Sequence, residues 1–194
     1  MKLITILLII LLLPAGPLFC EEEKKEHEFD FQKTVWGMSI EEVPKTEKEL
    51  ILKGDKNVQY YYAKIAGLDC LAFYSFTYGE LVAGEYQVLE PFSKEEQCIE
   101  SYQKLKKYLI DEYETPIEDK TIWNDDRFKD KKELWGLAVT LGMLEYYATW
   151  ETDTTDIKLY MMGDENDKPK IRALYSPRKE HKKKKKITTY PYAR

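Results

Sequence analysis

Hydrophobic and polar positions follow three different rhythms along this chain. Leu3–Leu13 is an almost wholly apolar run, broken afterwards by Pro14, Gly16 and Pro17. Cys98, Tyr102, Leu105 and Leu109 recur at helical spacing, which predicts a helix from Ser93 to about Tyr113, closed by Pro116. Elsewhere the period is two. Val58–Ala66, Leu71–Thr77 and Leu81–Leu89 read as strands, with turns at Gly67-Leu68-Asp69 and Tyr78-Gly79-Glu80. Tyr146–Pro177 reads as three more strands, with turns at Asp153-Thr154 and Asp164–Asp167.

Two local signals mark helix starts. Ser39 precedes Glu42 by three residues, and Ser93 precedes Glu96 likewise, the spacing at which a serine caps the helix and the carboxylate reaches back. Pro44 limits the first helix to a short or kinked turn. A third helix is expected over Asp130–Leu141, and residues 117–129 read as a polar loop. The meanders Tyr60–Pro91 and Tyr146–Pro177 have the same length and place Leu71 and Phe73 where Ile157 and Leu159 stand 86 residues later. The expected fold is therefore α+β: helices packed on an antiparallel sheet in two diverged helix-plus-three-strand-meander units, residues 34–91 and 92–177.

The apolar start has one charge, at Lys2, and is too soon interrupted to span a bilayer, which takes about 20 apolar residues. Residues 1–20 are read as a secretory signal, and the protein as exported: periplasmic, outer-membrane-associated or secreted. Cys20 is either the lipid-bearing first residue of a lipoprotein or an ordinary residue near a cleavage point after Ala15 or Cys20, because Pro17, Leu18 and Phe19 are not the small residues a lipoprotein signal places there. Removing or lipidating Cys20 leaves Cys70 and Cys98 as a candidate disulfide or as two separately buried thiols.

Composition then divides the chain by charge. The net charge is −5, yet Lys2 carries +1 and residues 178–194 carry +7, which leaves −13 on residues 21–177. Residues 21–33 open as a charged spacer, and Arg178, Lys179, Lys182, Lys183, Lys184, Lys185 and Lys186 make a basic tail suited to an anionic membrane surface. Export and the acidic body both argue against nucleic acid as a partner. At 43% hydrophobic and 13% aromatic, with 15 tyrosines, the body has the material for a packed core.

Chemistry is sparse. The two histidines, His27 and His181, lie in the spacer and the tail, and no nucleophile elbow, phosphate loop, Cys-x-x-Cys or His-Glu-x-x-His run occurs. No cofactor or metal is called for; Asp164, Glu165, Asn166 and Asp167 read as a hydrophilic turn rather than a calcium loop. Tyr60, Tyr62, Tyr147, Trp150 and Tyr160 are the candidate protein-contact residues, since aromatics with polar tips anchor interfaces well. The reading is a non-catalytic, exported protein-binding module near a membrane. The alternative is a secreted enzyme or carbohydrate-active domain that works with Asp and Glu alone.

Gly37–Val43, GMSIEEV, resembles the Gly-Met-Ser/Thr-x-x-x-Val helix entry of BamE-like and β-lactamase-inhibitor-protein-like domains. The WGMS start, the YETP helix end at Tyr113–Pro116 and the spacing of Trp150, Thr155 and Ile157 also resemble uncharacterised bacterial envelope proteins. The resemblance implies an exported α+β module with helices against an antiparallel sheet; Pro44 and the lack of a second Gly-Met-Ser entry depart from a tandem version of it.

Overall fold

Eight strands form one antiparallel sheet in the order β1-β2-β3-β4-β8-β7-β6-β5. The computed structural model describes residues 27–46, 53–89, 92 and 96–178. The elements are α1 (Val43–Thr46), β1 (Lys53–Gly54), β2 (Val58–Ile65), β3 (Leu68–Thr77), β4 (Glu80–Val88), α2 (Glu96–Tyr113), β5 (Glu118–Trp123), α3 (Trp135–Thr140), β6 (Leu144–Glu151), β7 (Thr155–Gly163) and β8 (Pro169–Pro177).

Tight turns set the register. Ala66 and Gly67 at φ 53° and 79°, and Tyr78 and Gly79 at 54° and 80°, form two-residue connections with both central residues left-handed, the geometry that matches strand twist. The β6–β7 turn is tied by the Thr152 hydroxyl, which accepts from the backbone N–H groups of Thr154 and Thr155. Asp164 does the same for the β7–β8 turn, accepting from the N–H groups of Asn166 and Lys168, and these bonds lower its carboxyl below the ordinary range. That loop is a stapled hairpin turn.

Alternation then decides the faces. On β3, Leu68, Cys70, Ala72, Tyr74 and Phe76 are buried while Leu71, Phe73 and Ser75 between them are not fully buried. The inner face continues through Leu81 and Tyr86 of β4, Ala173 and Tyr175 of β8, Ile157 and Leu159 of β7, and Ala148 and Trp150 of β6. Cys98, Tyr102, Leu105 and Leu109 of α2 cover the β6–β8 part of this face. Phe31, which precedes the expected start of the domain, covers the middle, with its ring against Tyr74, Tyr86 and Tyr175. At α1 the backbone N–H of Ser39 donates to Glu42 Oε2 at 2.8 Å, the reach-back half of the capping box; Ser93 lies outside the described residues.

The expected architecture of helices on a sheet in two helix-plus-meander units is overturned, because strands dominate and share one continuous sheet and one core. Among the described residues only α2 is long, at 18 residues; α1 is described over four residues and α3 over six, with a separate 3-10 turn at Lys132–Leu134 ahead of it. The 86-residue correspondence also fails by face: Ile157 and Leu159 point into the core, whereas Leu71 and Phe73 are on the opposite face. In a strand, one residue of slip exchanges the two faces completely. Finally, Glu118–Trp123, expected as loop, is β5, paired antiparallel with β6.

Candidate functional site

The face turned away from the core is built by register. Paired residues put Tyr60, Phe73, Glu85, Leu174, Lys158 and Thr149 in one row across β2, β3, β4, β8, β7 and β6. Two residues along lies the row Tyr62, Leu71, Gln87, Arg172, Tyr160, Tyr147, which ends on Lys120 of β5. Residues paired across strands share a face, as do residues two apart on one strand. The two rows therefore make one surface. Among the described residues, the helices and the N-terminal segment contribute their buried side chains to the core cluster on the other side.

Two aromatic flanks border a charged centre. On one flank Tyr60 packs its ring against Phe73, 5.7 Å between centroids, beside Tyr62, which is 68% exposed. On the other, Tyr147 and Tyr160 are a directly paired couple. Between the flanks the Arg172 guanidinium closes as a fork on both carboxylate oxygens of Glu85 and lies 5.8 Å from the Tyr160 ring centroid. Glu85 raises the Arg172 pKa, so the arginine is a fixed charge, neutralised by its partner.

Four of the five expected contact residues thus meet on the open face: Tyr60, Tyr62, Tyr147 and Tyr160. Trp150 does not. It faces the core at 2% exposure, and its indole N–H donates to the Glu114 carbonyl at 2.9 Å. Glu85, Arg172, Leu71 and Phe73 belong to the face and were not foreseen, because β3 is apolar on both sides; the alternation Arg172, Leu174 against Ile171, Ala173 and Tyr175 on β8 carried the signal.

The other expected sites divide. Cys70 on β3 and Cys98 on α2 are both buried, and the candidate disulfide between them is not formed. The reason is placement: the Cys98 thiol bears electrostatically on Tyr146 of β6, and β7, β8 and β4 separate β6 from β3. Arg178, counted with the basic tail, is bound to the body: its backbone N–H donates to the Thr154 carbonyl, and its guanidinium donates to the Thr152 carbonyl and pairs with Glu151 at 3.1 Å. Cys20, Lys179 and Lys182 to Lys186 lie outside the described residues.

A second polar feature sits at the core's edge. Asp30 Oδ1 accepts from the Thr154 and Thr155 hydroxyls and Oδ2 from the Trp36 backbone N–H, while the Trp36 indole N–H donates to Thr155 Oγ1 at 2.9 Å. Those bonds occupy both carboxylate oxygens and tie the N-terminal segment to the β6–β7 turn. Nearby, a half-open cavity of about 290 Å³ is lined by Phe31, Tyr86, Tyr108, Tyr113 and Tyr175. Burial pushes the Tyr113 hydroxyl up to about 12 and Tyr175 well above its ordinary value. These phenols stay neutral at physiological pH and act as hydrogen-bonding walls. Comparison with known protein families, characterised proteins and solved structures finds no match for the chain.

Proposed function

We propose that this chain is a non-catalytic exported envelope protein that binds a folded protein through the open face of its sheet, held near a membrane by the segments that flank the fold. The observation that carries the binding half is the convergence of Tyr60, Tyr62, Tyr147 and Tyr160 on one face that no described helix covers, either side of the Arg172–Glu85 fork. Tyrosines present large rigid area with a polar tip, the composition of interface anchors. Six strands at about 4.8 Å spacing make a face about 25–30 Å across, the scale of a partner surface that buries about 800 Å². Since Arg172 and Glu85 cancel, the partner this centre fits is apolar to weakly charged rather than strongly acidic or basic.

Export and membrane proximity draw on the apolar Leu3–Leu13 run, Cys20 and the lysine-rich tail. The test of the binding half is a variant carrying Tyr62→Ser and Tyr160→Ser. Its thermal melt should stay close to that of the parent, because Tyr62 is mostly exposed and Tyr160 lies outside the core cluster. Affinity capture from envelope extract with the parent chain should retain a discrete protein that the variant does not. Equal retention by both chains refutes the face as the binding surface.

A further inference from the structure

Two cavities meet where α2 ends. The first, of about 290 Å³, lies between the N-terminal segment and the second half of α2. Tyr86 and Tyr175, both buried, contribute to its lining, and Tyr108 and Tyr113 add to it from α2. Gln32 joins them and donates from its side-chain amide to the Tyr86 hydroxyl. The second cavity, of about 230 Å³, shares His27, Glu112 and Tyr113 with the first and continues past Glu114 to Glu151. The shared residues join the two into one cleft. Its N-terminal side is held in place by Phe31, packed on Tyr74, Tyr86 and Tyr175, and by Asp30, bonded to Thr154 and Thr155.

Charge decides which ligand this cleft suits. Burial raises the hydroxyl pKa of Tyr108, Tyr113 and Tyr175, so these phenols are neutral near pH 7 and offer hydrogen bonds without charge. The charge comes from carboxylates: Glu28 lines the first cavity, Glu112 both and Glu114 the second, against Lys33, while Glu151 is paired with Arg178. Acids are out of place at this end of a helix, whose exposed carbonyls carry partial negative charge and favour cations. The last turn of α2 nevertheless has no basic residue. Asp111 there is paired with Lys107 one turn earlier, and Glu112 and Glu114 follow it into the cleft lining. Glu114 also takes a left-handed conformation, φ 67°, just past the helix where glycine is the usual occupant. Both choices cost the empty protein stability, and a cation in the cleft offsets the repulsion. Among the described residues no three His, Cys, Asp or Glu side chains group closely enough to hold a metal ion. The carboxylates are instead strung along the cleft, which suits positive charges spaced along a chain.

We propose that this cleft binds a linear aliphatic amine of the diamine or polyamine class, with one ammonium group between Glu112 and the phenols of Tyr108 and Tyr113 and a second beside Glu114. The carboxylates supply charge-assisted hydrogen bonds, and the tyrosine rings add attraction for a cation and apolar surface for the methylene chain. This site is separate from the open sheet face and does not depend on what that face binds.

Calorimetric titration of the full chain with cadaverine and with spermidine tests it. Each should bind at one equivalent, and pentanediol, which matches cadaverine in length without its charge, should not bind. Glu112→Gln should weaken binding about tenfold by removing a charge-assisted hydrogen bond. Tyr108→Phe, which keeps the ring and loses the hydroxyl, should weaken it less, and Glu165→Gln in the β7–β8 turn should leave it unchanged. Thermal melts without ligand check that each variant is folded; if Glu112→Gln melts early, Glu114→Gln, at an exposed side chain, takes its place with the same expected loss. The site is overturned if neither amine binds, or if binding is indifferent to Glu112→Gln and Glu114→Gln. Several equivalents lowered equally by Glu165→Gln also overturn it, because they mark general attraction to an acidic surface. Pentanediol binding as tightly as cadaverine overturns the amine assignment in favour of a neutral hydroxylated ligand.

Discussion

The ring of Phe31 lies directly over Gly84, with Cγ 2.2 Å from where a β-carbon on that residue would stand. Gly84 is on β4 at its junction with β8, paired with Tyr175, and the same phenylalanine ring touches Tyr74, Tyr86 and Tyr175. A glycine in mid-strand normally weakens a sheet. Here it makes room for the N-terminal segment to lie on the strands where the two halves of the sheet join.

Gly84→Ala should destabilise the fold by about 1–3 kcal/mol through overpacking, and Phe31→Ala by about 3–5 kcal/mol through the cavity it leaves. In the double variant the alanine at 84 no longer meets a ring, so its added cost should be smaller than in the parent. Urea unfolding of the four chains measures this, and strictly additive losses would contradict the contact.

The Arg172–Glu85 fork should behave as one unit. Glu85→Ala leaves a partly buried guanidinium without its carboxylate, and Arg172→Ala leaves the carboxylate without its fork. A double-mutant cycle on thermal unfolding should return a coupling of about 0.5–3 kcal/mol, falling toward the low end because the pair is partly open to solvent. Zero coupling would show that the centre of the face is not pre-organised.

Alkali should unfold the protein in a defined window. Burial raises the hydroxyl pKa of Tyr113 to about 12 and holds that of Tyr175 well above its ordinary value, both above the unfolded value near 10. Groups whose folded pKa is raised contribute stability that is fully present below the unfolded pKa and lost as pH rises through the folded one. The urea midpoint should therefore hold from pH 7 to 9 as far as these groups are concerned and fall between about 10 and 12, less steeply in Tyr113→Phe. A midpoint that stays level to pH 12 would contradict the burial of these phenols.

The strands were legible where one face is apolar and the other polar. Alternation located β2, β4, β7 and β8 closely, and the stripe Cys98, Tyr102, Leu105, Leu109 located α2. Parity was illegible where both faces are apolar. In Leu144–Glu151 the inner Tyr146, Ala148 and Trp150 alternate with the outer Tyr147 and Thr149, so sequence alone could not tell Tyr147 from Trp150 as a surface residue. β5 was missed for the opposite reason: Glu118–Thr121 are all polar and exposed, because an edge strand has little core to face. The Asp30 cluster was hidden too, since Thr154 and Thr155 come to Asp30 across more than 120 residues.

Site-specific photocrosslinking from the sheet tests the central claim most directly. With p-benzoylphenylalanine at Tyr62 or Tyr147 of the open face, or at Lys104 on the solvent side of α2, irradiation of envelope from bacterial cells should link 62 and 147 to the same discrete protein and leave 104 unlinked. Adducts at 104 matching those at 62 and 147, or no protein adduct at 62 and 147, would contradict the assignment of the open face as the binding surface.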